Sequence, residues 1–116
     1  MKITNLMATE SRDVGMTGSR GVTKKVPLGK SDGAPNFSFR VFTIEPGGHT
    51  PRHLHDQEHL NYIIEGEGVV VTADEQKKPV KKGDFALIMP NEMHQYINTS
   101  DTSPMVMICA VPRDYE

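Results

Sequence analysis

GGHTPRHLHDQEHLNYIIEGEG, residues 47–68, decides the fold together with one later histidine, His94. Side chains on a strand alternate faces, so His53 and His55 project from one face about 6–7 Å apart and can lean onto one ion. On a helix the same pair would diverge by about 200°. Pro51, just upstream, also disfavours a helix. The spacing therefore predicts chelation from a strand. His59 stands four residues beyond His55, roughly 13 Å away on a straight strand and too far to share the ion. A corner at Asp56-Gln57-Glu58 removes the difficulty, with a new strand opening at His59 and closing on glycine-rich EGEG. His94 must then reach the same centre from a third strand lying opposite. Strands that curl around one point make the interior of a small barrel. The competing reading is a histidine-rich surface loop whose rings never meet; three imidazoles within residues 53–59 weigh against it.

The flanking chain reads as a series of strands. Residues 1–20, rich in Ser, Thr, Gly and charge, are expected to form an arm, and residues 21–116 the barrel domain. GVTKKVPLG (21–29) suits an edge strand, its lysines and Pro27 discouraging further pairing. FSFRVFTIEPGG (37–48) reads as a strand ended by Pro46-Gly47-Gly48. After the histidines come GVVVTADEQKKPVKKGD, a hairpin over Ala73–Lys77; FALIMP, a buried strand; NEMH, a corner; QYINTSD, a strand with its turn; and PMVMICAVP. Turn signals recur roughly every eight to twelve residues and no amphipathic helix stands out, the pattern of an all-β sandwich or barrel.

The 116 residues support one domain. With 24% charged residues and a net charge of −2, nothing favours nucleic acid or an anionic membrane, and no apolar run is long enough to span a bilayer. The N-terminal stretch lacks the apolar core of a secretory signal. Cys109 is the only cysteine, which excludes an intrachain disulfide and points to a cytoplasmic protein. Within MVMICAV it reads as a small buried hydrophobe.

Two segments resemble the conserved motifs of the cupin superfamily. The first runs from Pro46-Gly47-Gly48 through His53-Leu54-His55 and His59 to Glu65-Gly66-Glu67-Gly68; the second is GDFALIMPNEMHQYIN, residues 83–98. With the strand pattern, the likeness extends over roughly residues 21–112. It implies a jelly-roll barrel (a double-stranded β-helix, all-β), a single cupin domain that is often a homodimer, with one divalent metal inside. Transferred position by position, the ligands are His53, His55, His59 and His94. Most cupins carry glutamate at the third position, where this chain has His59; some small relatives use four histidines, with manganese among their metals. Glu92 replaces the usual glycine of the second motif, and one residue fewer separates Pro90 from His94. Glu58 is the rival third ligand, but neighbours on a strand face opposite ways, so only one of Glu58 and His59 can coordinate.

Four neutral imidazoles leave the full double charge of the ion uncompensated, which favours an anionic, chelating guest such as a carboxylate, 2-oxo acid or enolate. Two positions stay open on an octahedral ion. Imidazole suits Zn, Cu, Ni and Fe, whereas the resemblance puts manganese and iron first, with zinc and nickel behind. Asn61 follows His59, and Tyr96 follows His94, on the same strand faces, which makes both candidates for hydrogen bonds to a guest. Arg40 shares a face with Phe42, and an inward Arg40 would add a cation beside the guest. Asn98 is expected to serve its turn, and His49 to lie outside the site, as a surface or loop residue. Two functions remain open: a metal-dependent enzyme of oxygenase, oxidoreductase or carbon-acid type, and a non-catalytic small-molecule binding or sensing module.

Overall fold

The computed structural model describes all residues, Met1–Glu116. Nine strands run in chain order: β1 (Arg12–Asp13), β2 (Arg20–Leu28), β3 (Phe37–His49), β4 (His59–Glu65), β5 (Glu67–Thr72), β6 (Lys77–Lys81), β7 (Phe85–Ile88), β8 (His94–Ile97) and β9 (Met105–Pro112). Only three short 3-10 turns, at Leu6–Ala8, Lys30–Asp32 and Arg113–Tyr115, interrupt them. The strands form one curled antiparallel sheet in the order β6-β5-β8-β3-β9-β4-β7, with β2 on β3 and β1 on β2. This is the all-β jelly-roll cupin fold that the two motifs imply.

Alternation builds the inside of the curl. Val70, Tyr96, Ile44, Met105, Met107, Ile63 and Ile88 close on one another as its core, supplied by six different strands. At its far end Asn98 ties the turn as expected. Its Nδ2 donates to the carbonyls of Ile44 and Ser103 at 2.9 Å each, and its Oδ1 accepts from the Ser100 amide at 2.9 Å. Gly66 links β4 to β5 with φ +82°, and a Cβ there would lie 2.3 Å from the Pro104 carbonyl oxygen, so only glycine fits.

FALIMP, expected as a buried strand, is β7 with only Ile88 buried and Phe85, Leu87 and Met89 exposed, because its other face lies on the outside of the curl. Three further local expectations differ from the structure. The first concerns β3, which does not end at Pro46-Gly47-Gly48 but runs through them to His49. Opposite β2 the register jumps from Val22↔Ile44 to Arg20↔His49, so the proline and glycines form a bulge inside the strand. His49 accordingly closes a strand rather than lying in a loop. The second is the His53-x-His55 segment, which lies in no named strand. A single bridge holds it, the His53 and His94 amides donating to each other's carbonyls at 3.2 and 3.0 Å. Alternation survives without the ladder, because Arg52, Leu54 and Asp56 are exposed while His53 and His55 are half-buried. The third is His94, which opens β8 rather than closing a corner.

Candidate metal centre

The corner at Asp56-Gln57 is present as a bend, and β4 begins at His59. From there His59, Asn61 and Ile63 face inward, and Glu58 is exposed on the other side. His94 and Tyr96 face inward from β8. Three imidazoles thus meet at the mouth of the curl from two directions. The ring centroids of His53, His55 and His94 form a near-equilateral triangle with sides of 5.2, 5.0 and 5.1 Å. One nitrogen from each lies within 4.8 Å of the others, and all three can be presented to one ion.

Hydrogen bonds fix which nitrogen is presented. The Nδ1 of His55 lies 2.7 Å from the Gln57 carbonyl and that of His94 lies 2.8 Å from the Glu92 carbonyl. A carbonyl only accepts, so both Nδ1 atoms carry the proton and both Nε2 lone pairs are free. The Nε2 of His55 is buried and has no hydrogen-bond partner. Glu92, which stands where the motif usually has glycine, thus helps to orient His94 through its backbone, while its side chain accepts from the Met89 amide at 3.0 Å. Burial pushes His53 down to about 4, helped by the neighbouring rings, and lowers His55 and His94 as well. The rings are neutral at neutral pH, the state a metal requires. Lone pairs, tautomers and spacing all fit a divalent cation.

His59 sits differently. Its ring stacks on His55 at 4.1 Å and stands 5.8 Å from His94. Its Nε2 lies 3.3 Å from Nη2 of Arg40, which can only donate, so His59 is the acceptor. Burial and then the Arg40 charge drive it down to about 2. In this arrangement three histidines share a point and the fourth is held by a guanidinium.

Arg40 faces inward and is 6% exposed. Besides His59 it donates to Cys109 Sγ at 3.1 Å, while its Nε has no partner. Its guanidinium lies over Phe42 and Tyr115 at 4.9 and 5.4 Å, and it forms no ion pair. Asn61 Nδ2 contacts the Tyr96 hydroxyl at 2.6 Å, and Asn61 Oδ1 is buried without a partner. These groups line a cavity of about 140 Å³ that reaches from His53, His59 and His94 down to Phe42 and Met107. His55 and His49 do not line it.

Several lining residues carried no sequence signal. Tyr115 comes from the last turn of the chain and packs on His55 at 4.6 Å and on His59 at 5.3 Å. Lys24 adds a second cation from β2, and Val14, Met16 and Ser19 of the N-terminal segment close one wall. Cys109 is buried as expected but belongs to the cavity wall as well as the core. Its inward position follows from alternation with Met107 and Val111, yet only the register shows that Arg40 lies opposite.

Residues 40–111 match the family described as Cupin domain. Over 97 residues the chain is 32% identical to the L-ectoine synthase of Halomonas elongata, covering 81% of this chain and 69% of that protein. A 63-residue stretch is 33% identical to gentisate 1,2 dioxygenase 1 of Aquipseudomonas alcaligenes, covering 54% of this chain but only 18% of the dioxygenase. Among solved structures, the polyketide cyclase RemF from Streptomyces resistomycificus superposes with a TM-score of 0.91 at 26% identity, over 97% of this chain and 79% of the cyclase. The histidine-bearing curled sheet and these matches agree, and the chain belongs to the cupin family.

Proposed function

We propose that the chain binds one divalent metal ion through His53, His55 and His94, with His59 as the fourth ligand, and presents it to a small anionic guest in the adjoining cavity. The observation that carries this reading is the triangle of neutral imidazoles with two Nε2 atoms left free by their tautomers. When bound, the ion supplies Lewis acidity. The cavity supports an anion because its lining contains Arg40 and Lys24 and no carboxylate. Manganese and iron lead our proposal for the metal. The matched relatives bear the names of a synthase, a dioxygenase and a cyclase, which favours catalysis over binding alone. Those names describe different reactions, so no single one transfers. Elemental analysis of the purified protein, followed by calorimetry of acetate and pyruvate against glycerol on the metal-loaded form, tests both halves. The acids should bind at least about tenfold tighter, about 1.4 kcal/mol. Equal binding of glycerol would remove the anion from the proposal, and absence of tight metal binding would remove the centre.

We also infer a homodimer, from the outer face of the sheet. Phe39, Ala110, Leu60 and Leu87 stand in one row across β3, β9, β4 and β7, with Ile108, Tyr62 and Phe85 in the next. Phe85 is 81% and Leu60 53% exposed, an apolar patch of the kind that associates. A twofold contact between copies would cover it. The double variant Leu60→Glu, Phe85→Glu should turn a dimer into a monomer in light scattering; a wild-type monomer at tens of micromolar would end this inference. The free, buried Cys109 thiol is consistent with a reducing cytoplasm, our proposed compartment.

A further inference from the structure

Three strands bring one row of unlike polar groups together inside the curl. Arg40 on β3 is paired with Cys109 on β9, and Cys109 with Asn61 on β4. The three side chains therefore project from neighbouring positions into the same cavity. Arg40 and Asn61 are two strand spacings apart, about 10 Å along the sheet. The next inward row, Phe42, Met107 and Ile63, is apolar. A polar row thus lies between an apolar floor and the histidines at the mouth.

Both ends of that row are incomplete. Arg40 Nε is buried without an acceptor, and the guanidinium has no carboxylate partner anywhere in the chain. Leaving a buried cation unpaired is costly, so this end calls for an anion, and the flat fork of donors matches a carboxylate. At the other end Asn61 is 2% exposed and Tyr96 2% exposed. Their mutual contact at 2.6 Å uses one amide atom and leaves Oδ1 unpartnered. The pair also has the Tyr96 hydroxyl proton to place. A guest hydroxyl both donates and accepts, and so serves this end in either orientation of the amide; an ammonium only donates and a carbonyl only accepts.

We infer that the guest is a small hydroxycarboxylate, its carboxylate on Arg40 and its hydroxyl on the Asn61–Tyr96 pair. This deepens the metal-and-anion reading above and rests on it. The cavity of about 140 Å³ is smaller than the roughly 300–1,000 Å³ of drug-sized pockets, which restricts the guest to a few heavy atoms. Cys109 Sγ, between the two ends, accepts from Arg40 and holds its fork in place.

The test is calorimetry with 3-hydroxypropionate, 4-hydroxybutyrate, propionate and propane-1,3-diol, on protein loaded with manganese and on protein stripped of metal. At least one hydroxy acid should bind ten times or more tightly than propionate, and the diol weakest of all. Asn61→Leu should bring the hydroxy-acid-to-propionate ratio to about one with propionate affinity kept. Arg40→Met should weaken both acids tenfold or more and leave the diol unchanged. Tyr96→Phe provides the same reading as Asn61→Leu if that variant fails to fold. A metal-loaded wild type that does not prefer either hydroxy acid over propionate overturns the inference, as does a ratio unchanged in Asn61→Leu or Tyr96→Phe. Metal content measured in each sample separates the two claims: a hydroxy-acid preference in a chain that takes up no metal removes the centre and leaves the polar row standing.

Discussion

His94→Ala is expected to cut divalent-metal affinity by at least about a hundredfold, roughly 2.7 kcal/mol, and to leave the purified protein essentially metal-free. The ring contributes one corner of the triangle, and its Nε2 is committed to the cavity because Nδ1 is bonded to the Glu92 carbonyl. Neither histidine outside the triangle replaces it freely, since His49 is not part of the cluster and His59 Nε2 is held by Arg40. The fold should survive the change: the backbone bridge to His53 uses main-chain groups that alanine retains. His59→Ala should have a smaller effect, about tenfold, because Nε2 of His59 is held by Arg40 and must leave it to coordinate. Titration of manganese into both variants, monitored by calorimetry beside a circular-dichroism melt, reads the order. Equal losses in the two would show that all four imidazoles coordinate alike, and unchanged affinity in His94→Ala would dismiss the centre.

Acid should destabilise the metal-free protein, beginning near pH 6.5. The sign follows from the direction of the histidine shifts. Unfolded, each histidine takes up a proton as pH falls through about 6.5. Folded, His59 resists until about 2 and His53 until about 4, with His55 and His94 lowered too. Below pH 6.5 the unfolded chain therefore binds more protons than the folded one, and the free energy of unfolding falls with falling pH. For His59, the most deeply buried of them alongside His94, the slope is about 1.4 kcal/mol per pH unit. For a chain of this size that corresponds to a drop in Tm of about 5 °C per unit. The other three add to it, His53 and His55 only in part because solvent reaches them. Melts of chelator-treated protein from pH 7.5 to 5 measure the slope. In the His59→Gln variant it should be visibly shallower, and a Tm that stays flat or rises on acidification would contradict the buried, neutral state of these rings. Saturating metal at pH 7.5 should raise Tm, since an ion that binds only the folded chain adds its binding free energy to stability.

The residues show unevenly how much of this is legible in one dimension. Spacing alone assigns the strand that opens at His59, the corner before it and the inward faces of Asn61 and Tyr96, because those facts depend only on a side-chain period of two and on turn residues. The course of β3 was harder to read. Its outward residues Phe37 and Phe39 are aromatic and exposed, whereas its inward ones, Ser38 and Arg40, are polar and buried. Hydrophobicity points the wrong way over Phe37–Arg40, because the interior there is a polar row and the exterior an apolar face, whereas Phe42 and Ile44 farther along face the core. The bulge at Pro46–Gly48 adds a register jump that no period can anticipate.

What the letters determined by themselves was local: which imidazoles can share a face, where the chain turns, and that enough short strands exist to curl into a barrel. Tertiary structure alone decided that Arg40 would hold His59, that Arg40, Cys109 and Asn61 would form one row, and that Tyr115 would close over the rings. The reason is physical. Alternation fixes the face of a residue within its own strand, whereas the partner across the sheet depends on register, which long-range pairing and packing set together.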